Sequence, residues 1–219
     1  MANIFSSSIG KKLVMSLSGL FLMLFLLMHL SINFAAVASE EAYNAACHFM
    51  DTNIFIQIMV PVLAFGFFIH IVYAAVLTLH NRSARPAKYA VSHKGRAASW
   101  ASRNMFVLGL IVIGFAAVHL SHFWAEMQLQ HFIGSTATDN PYLLVKTTLE
   151  NPLWAAVYIV WFWVLWFHLT HGFWSALHTI GLNTQKWLPR LRIAATVFAT
   201  LVAAGYSFIA LWFALGFAK

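Results

Sequence analysis

Charge is what this 219-residue chain lacks most: only 9% of its residues are Asp, Glu, Lys or Arg. Soluble globular domains carry about 25%, so an ordinary water-soluble domain is excluded. Acids are scarcer than bases, six against 13. There is one cysteine, Cys47, and no CxxC or CxxCH, so an intrachain disulfide framework and a covalently attached c-type haem are both excluded. No internal repeat and no low-complexity linker divides the chain.

In place of charge the chain has apolar length, with 61% hydrophobic residues. Uncharged runs cover about 13–37, 54–79, 105–124, 153–177 and 193–217. Each is about 20 residues or more, enough for a helix to cross a hydrocarbon core of about 30 Å. The expectation is an all-α membrane protein with five transmembrane helices, a single integral membrane domain over 1–219.

Orientation follows from where the bases lie. Lys11, Lys12, Arg82, Arg85, Lys88, Lys94, Arg96, Arg103, Lys186, Arg190 and Arg192 fall on one side of the five runs. Lys146, Lys219 and every acid (Glu40, Glu41, Asp51, Glu126, Asp139, Glu150) fall on the other. The positive-inside rule puts the N-terminus in the cytoplasm and the C-terminus outside. The +7 balance then reflects topology and anionic headgroups, and nucleic acid is not a partner. The N-terminus has signal-peptide features, with Lys11 and Lys12 before an apolar run and Ala36-Val37-Ala38-Ser39 after it. That run is too long for a cleaved h-region, usually about 7–15 residues, and it holds His29 and Asn33, so it is read as the first span.

Between the runs, Ser39-Glu40-Glu41 reads as an N-cap with first-turn acids. Ala42, Ala45, Ala46 and Phe49 follow at helical spacing, which predicts a short surface helix. The basic loop 81–103, broken by Pro86 and Gly95, reads as mostly irregular. His131, Gly134 and Pro141 mark an outer loop. Asn151-Pro152 reads as the N-cap and first position of the fourth span.

An ionisable side chain inside hydrocarbon is expensive and therefore points to function. His29 lies 16 residues from the start of the first run and His119 14 from that of the third, about 21–24 Å up at 1.5 Å per residue. His70 and His168 each lie nine residues before the end of their runs, about 14 Å up. The two pairs share two levels about 7–10 Å apart. Facing neutral imidazoles in a bundle core suit the two axial positions of a haem iron, which leaves no open position and favours electron transfer. His122 and His171, three residues beyond His119 and His168, lie on nearly the same faces and are not excluded by depth. Gly66 and Gly172, four residues from His70 and His168, would either admit the flat macrocycle or serve close helix packing. His80, His93 and His131 lie in or beside loops. A haem-free histidine-rich proton or small-molecule transporter is the alternative from another class, and a haem b subunit of a hydrogenase or formate dehydrogenase is a second.

Three stretches carry a resemblance: His29-Leu30-Ser31-Ile32-Asn33, the segment 42–51 (AYNAACHFMD), and the segment 167–175 (FHLTHGFWS). In order and spacing they resemble the single-polypeptide, five-helix, di-haem cytochrome b membrane anchor of succinate:menaquinone oxidoreductases and fumarate reductases. The resemblance implies two haem b groups with one axial histidine from each of the first four helices. It selects His119 over His122 and His168 over His171, pairing His29 with His119 at the outer iron and His70 with His168 at the inner. His171 is left near a propionate or in packing. The resemblance also implies partners on the cytoplasmic side, a flavoprotein carrying FAD and an iron–sulfur subunit with its clusters. Menaquinone is the implied substrate in the bacterial inner membrane, with no dicarboxylate site in this chain. The implied quinone site lies at the outer level near His29, His48 and Asp51. There Asp51 would exchange a proton with the quinone, or would be a solvated acid or helix cap. Some members carry a glutamate two residues before the fourth-span ligand; here that position is Trp166, so a compensating proton route through it is not implied.

Overall fold

A computed structural model describes residues 7–83, 99–130, 133 and 138–218. Helix α1 runs Ser8–Ala38, α2 Glu40–Thr52, α3 Ile54–Ser83, α4 Trp100–Arg103 and α5 Met105–His119, which continues as a π-helix over Leu120–Leu129. Helix α6 is Pro141–Glu150, α7 Pro152–Thr179 and α8 Trp187–Ala214. Five of these are long and apolar enough to cross a membrane: Ser8–Ala38, Ile54–Asn81, Met105–Leu129, Pro152–Thr179 and Trp187–Ala214. The all-helical architecture agrees with the five uncharged runs. Most of the basic loop, with Arg85, Pro86, Lys88, His93, Lys94, Gly95 and Arg96, lies outside the described residues, as do His131, Gly134 and Lys219.

The helix ends follow local chemistry. Ser39 Oγ accepts from the Ala42 amide, capping α2 with Glu40 and Glu41 in its first turn, and that hydroxyl helps hold the Glu41 carboxyl below its usual range, after its own backbone amide. Asn151 caps α7 with Pro152 at the first position. The same Asn-Pro signature at Asn140-Pro141 starts α6, a helix where the sequence reading had a loop. Helix α6 buries Tyr142, Val145 and Leu149, one stripe at helical spacing. Gly216 stands at φ 73° just past α8, a left-handed stop that glycine adopts without a Cβ penalty. The fifth span therefore ends at Ala214, short of the 217 expected from hydropathy.

Residue contacts give the helix directions. Ser18 and Phe21 of α1 meet His70 and Gly66 of α3, so these two helices are antiparallel. Phe115 of α5 meets Tyr158 and Phe162 of α7; Trp166 and Phe162 of α7 meet Thr200 and Tyr206 of α8. Helix α8 is the packing centre. Ala195, Ala199, Val202, Ala203 and Ala210 are almost completely buried along a small-residue seam, the means by which helices approach closely in lipid. The Tyr206 hydroxyl donates to the Leu26 carbonyl at 3.1 Å, tying α8 to α1.

At the acidic end α2 and α6 are stitched by polar groups. Asn44 donates to the Asn140 side-chain carbonyl and accepts from the Tyr142 amide, both at 3.0 Å, and Asn140 donates to Glu40 at 2.6 Å. Burial there lifts the Cys47 thiol to about 11 and raises the Tyr43 hydroxyl above its ordinary value.

Gly66 has little room. A Cβ there would stand 2.8 Å from the Phe21 ring, and a rigid aromatic cannot yield as a flexible chain would. Gly66→Ala is expected to cost about 1–3 kcal/mol by overpacking, read as a lowered midpoint in detergent unfolding. Phe21→Leu in the same chain should restore most of the loss.

Candidate functional site

Four long helices each bring one histidine inward, at two levels. His29 of α1 and His119 of α5 have ring centroids 5.7 Å apart with planes at 87°. His70 of α3 and His168 of α7 have centroids 6.4 Å apart at 65°. A metal–imidazole nitrogen bond is about 2 Å long and the nitrogen lies about 1 Å from its ring centre. Two imidazoles in trans on one metal therefore have centroids about 6 Å apart. Both separations fit that distance.

The surroundings fit it too. His168 Nδ1 is buried and has no hydrogen-bond partner among the described residues, which leaves a lone donor or acceptor in an apolar place. A Cβ on Gly19 would sit 3.3 Å from His70 Cε1, and one on Gly109 3.8 Å from His168 Cε1. These two glycines keep space open beside the pair. His29 is walled by Phe25 and Tyr206, His119 by Phe115, Phe123 and Tyr158. The donor set and the apolar walls suit a bis-imidazole haem iron. Among the described residues no cluster of three or more His, Cys, Asp or Glu could hold a metal ion; an axial pair needs only two.

The neighbours separate by contact. His122 Nδ1 lies 3.1 Å from the Tyr158 hydroxyl and its ring stands 4.4 Å from Trp154, edge to face. It lies in the first turn of the π-helical stretch Leu120–Leu129 that follows His119, whose wider turn carries it toward α7. His171 stacks edge-on to Trp174 and leaves Nδ1 buried without a partner among the described residues. Gly66 faces Phe21, and Gly172 faces Met23 and Met105 at 3.4 and 3.6 Å, so both glycines serve close packing. Sequence reasoning missed Gly19 and Gly109. The available signal was spacing: each stands ten residues before a histidine of its own helix, His29 and His119.

The separation of the two levels needs correction. Along α1 the level of His70 is marked by Ser18 and Gly19, ten or eleven residues below His29. Along α5 the level of His168 is marked by Gly109, ten below His119. At 1.5 Å per residue the levels stand about 15 Å apart, not 7–10 Å. The shorter figure assumed that apolar runs begin and end in one plane, whereas the helices overrun their apolar stretches by unequal lengths.

Asp51 and His48 lie at the acidic end of α2 and both are exposed. Asp51 accepts a hydrogen bond from Gln128 near the end of the π-helix. His48 offers its carbonyl to Thr52.

The chain is 26% identical over 188 residues to the protein named succinate dehydrogenase cytochrome b558 subunit from Bacillus subtilis (strain 168), an alignment covering 86% of each chain. No family profile and no solved structure matches it.

Tyr158 is 2% exposed and its hydroxyl faces His122. Tyr158→Phe keeps the ring against His119 but removes the hydroxyl that His122 Nδ1 meets, an expected loss of about 0.5–1.5 kcal/mol measurable as a lower unfolding midpoint. An unchanged midpoint would show that the pair contributes nothing to stability.

Proposed function

We propose that the chain is the membrane cytochrome b subunit of a succinate dehydrogenase or fumarate reductase, anchoring a flavoprotein with FAD and an iron–sulfur subunit and exchanging electrons with menaquinone. The observation that carries this is the meeting of four intramembrane histidines as two pairs, each about 6 Å between ring centres. The similarity to the Bacillus subtilis subunit over 86% of the chain supports it. Two haem b groups, held by His29 with His119 and by His70 with His168, would supply one-electron transfer with no open coordination position.

The chain's own residues prepare those positions. Ser18 Oγ lies 3.3 Å from His70 Nδ1, and its hydroxyl proton is directed to the Met15 carbonyl at 3.1 Å. The serine oxygen therefore accepts from Nδ1–H, which fixes the tautomer with Nε2 as the free lone pair. This is the outer-shell contact that orients a ligating imidazole and raises its basicity. Tyr206 spends its hydroxyl on the Leu26 carbonyl and offers His29 only its ring, keeping that level dry. The rings of Phe115, Phe123 and Tyr158 stand against His119, an aromatic wall that keeps water from competing for the imidazole nitrogens.

The quinone would be handled at the acidic end, where Gln128, at the far end of the helix that carries His119, holds Asp51 by one hydrogen bond. There Asp51 would give or take the proton that accompanies quinone turnover, with His48 one helical turn away. The partner subunits would sit on the basic end, where Lys11, Lys12, Arg103 and Lys186 lie. Dicarboxylate chemistry belongs to them.

Replacing His168 by Ala should remove the inner haem and about half of the b-type absorbance while the outer remains. A reduced-minus-oxidised spectrum of the purified wild-type chain without a b-type α band would sink the haem reading altogether. Asp51→Asn should keep both haems and lower quinone turnover by about a hundred- to ten-thousandfold, the range of a lost proton-transfer group. Full turnover would remove Asp51 from the mechanism.

A further inference from the structure

Helix α7 presents a second polar surface on the side away from the histidine pairs. At 100° per residue, the face made by Trp166, Phe167, Thr170, His171 and Trp174 is centred about 130° round from His168. These residues, with Trp100 of α4 and Arg192 of α8, line a cleft of ≈ 490 Å³. The Arg192 guanidinium lies 5.1 Å over the Trp174 ring, a stacked position that leaves its hydrogen-bonding edge free. His171 Nδ1 is buried with no hydrogen-bond partner among the described residues. No carboxylate is among the lining residues.

Depth decides what the cleft can hold. Helices of 28 residues are about 42 Å long and overrun a hydrocarbon core of about 30 Å by about 6 Å at each end. Arg192, five residues into α8, stands about 8 Å above the helix start, at the boundary between headgroups and hydrocarbon. Trp166, 13 residues before the end of α7, lies about 14 Å inside that boundary. The cleft thus joins one uncompensated cation at headgroup depth to an aromatic wall at acyl depth.

We propose that this cleft binds one anionic phospholipid, its phosphate on the Arg192 guanidinium and a headgroup or ester oxygen accepting from His171, with an acyl chain along Trp166 and Phe167. A basic pocket between membrane helices is the recognised form of such a site, and a planar guanidinium matches phosphate oxygens in a fork. A free phosphate would use the cation and leave the aromatic wall bare. A neutral quinone would use the wall and leave the cation unmatched. The proposal needs only the membrane-spanning helices and stands apart from the haem reading, which the visible spectrum tests separately.

The test is lipid binding by the full chain, purified in mild detergent with whatever subunits accompany it, followed by native mass spectrometry with added phosphatidylglycerol or phosphatidylcholine. The wild-type protein should hold one phosphatidylglycerol in preference to phosphatidylcholine. Arg192→Gln should weaken that adduct about fivefold, the effect of one basic residue at the membrane surface. Arg190→Gln, which removes the same charge two residues away and outside the cleft, should not. Equal binding of the two lipids by the wild-type protein overturns the proposal whether or not the variants fold. Equal losses in the two variants overturn it as well, since they would mean a diffuse surface charge. A bound quinone that phosphatidylglycerol does not displace would do the same.

Discussion

An imidazole carried into hydrocarbon finds no water for its two nitrogens, and this chain carries four of them on four separate helices. Some contacts are local, as where Asn33 reaches the His29 ring from one turn away at 3.5 Å, and others come from neighbouring helices, as where Ser18 meets His70 at 3.3 Å. The need for partners across helices sets the rotation of α1, α3, α5 and α7 about their axes: the histidine of each faces the histidine of another. The apolar surface of these helices could not set it, because lipid tails and leucine side chains are equivalent surroundings. Polar contacts carry the specificity and small residues carry the closeness, as in the alanine seam of α8.

The same economy explains how the two faces of α7 differ. His168 turns inward to α3, with Gly109 leaving room beside it. The face centred away from it gathers Trp166, His171 and Trp174 against Arg192. One helix thus serves the bundle interior and the membrane boundary at once. A segment so rich in aromatics, 152–179, suits both tasks, since an aromatic ring can wall a dry site and can also sit at the headgroup level. The π-helical stretch after His119 has a comparable double effect. Both His119 and His122 touch the Tyr158 ring, but only His122 reaches its hydroxyl and the Trp154 ring, while His119 meets His29.

Some features can be read from residues because their physics is local. The five spans follow from uncharged length, and the caps at Ser39 and Asn151 follow from side chains that satisfy nearby amides. Helix α6 obeys the same rule at Asn140-Pro141, but it is short and carries Lys146 and Glu150, so hydropathy does not mark it. The pairing of histidines by depth also rested on a local count. Its partners agree with the contacts, but its distance scale did not survive, since hydropathy marks where charge stops and not where a helix ends.

The sequence by itself determined that the chain is a set of membrane-length helices with a basic and an acidic end, and that His29, His70, His119 and His168 lie deep within them. Hydrocarbon imposes those facts on any segment of that composition. Tertiary structure alone decided which glycine faces which ring. Gly66 and Gly172 lie near His70 and His168 along the chain but meet Phe21, Met23 and Met105 in space, whereas Gly19 and Gly109 reach the pair from other helices. It also decided that His122 belongs to Tyr158 and that Arg192 joins α7 across a cleft. Contacts between helices depend on rotation and overlap, which no single helix encodes.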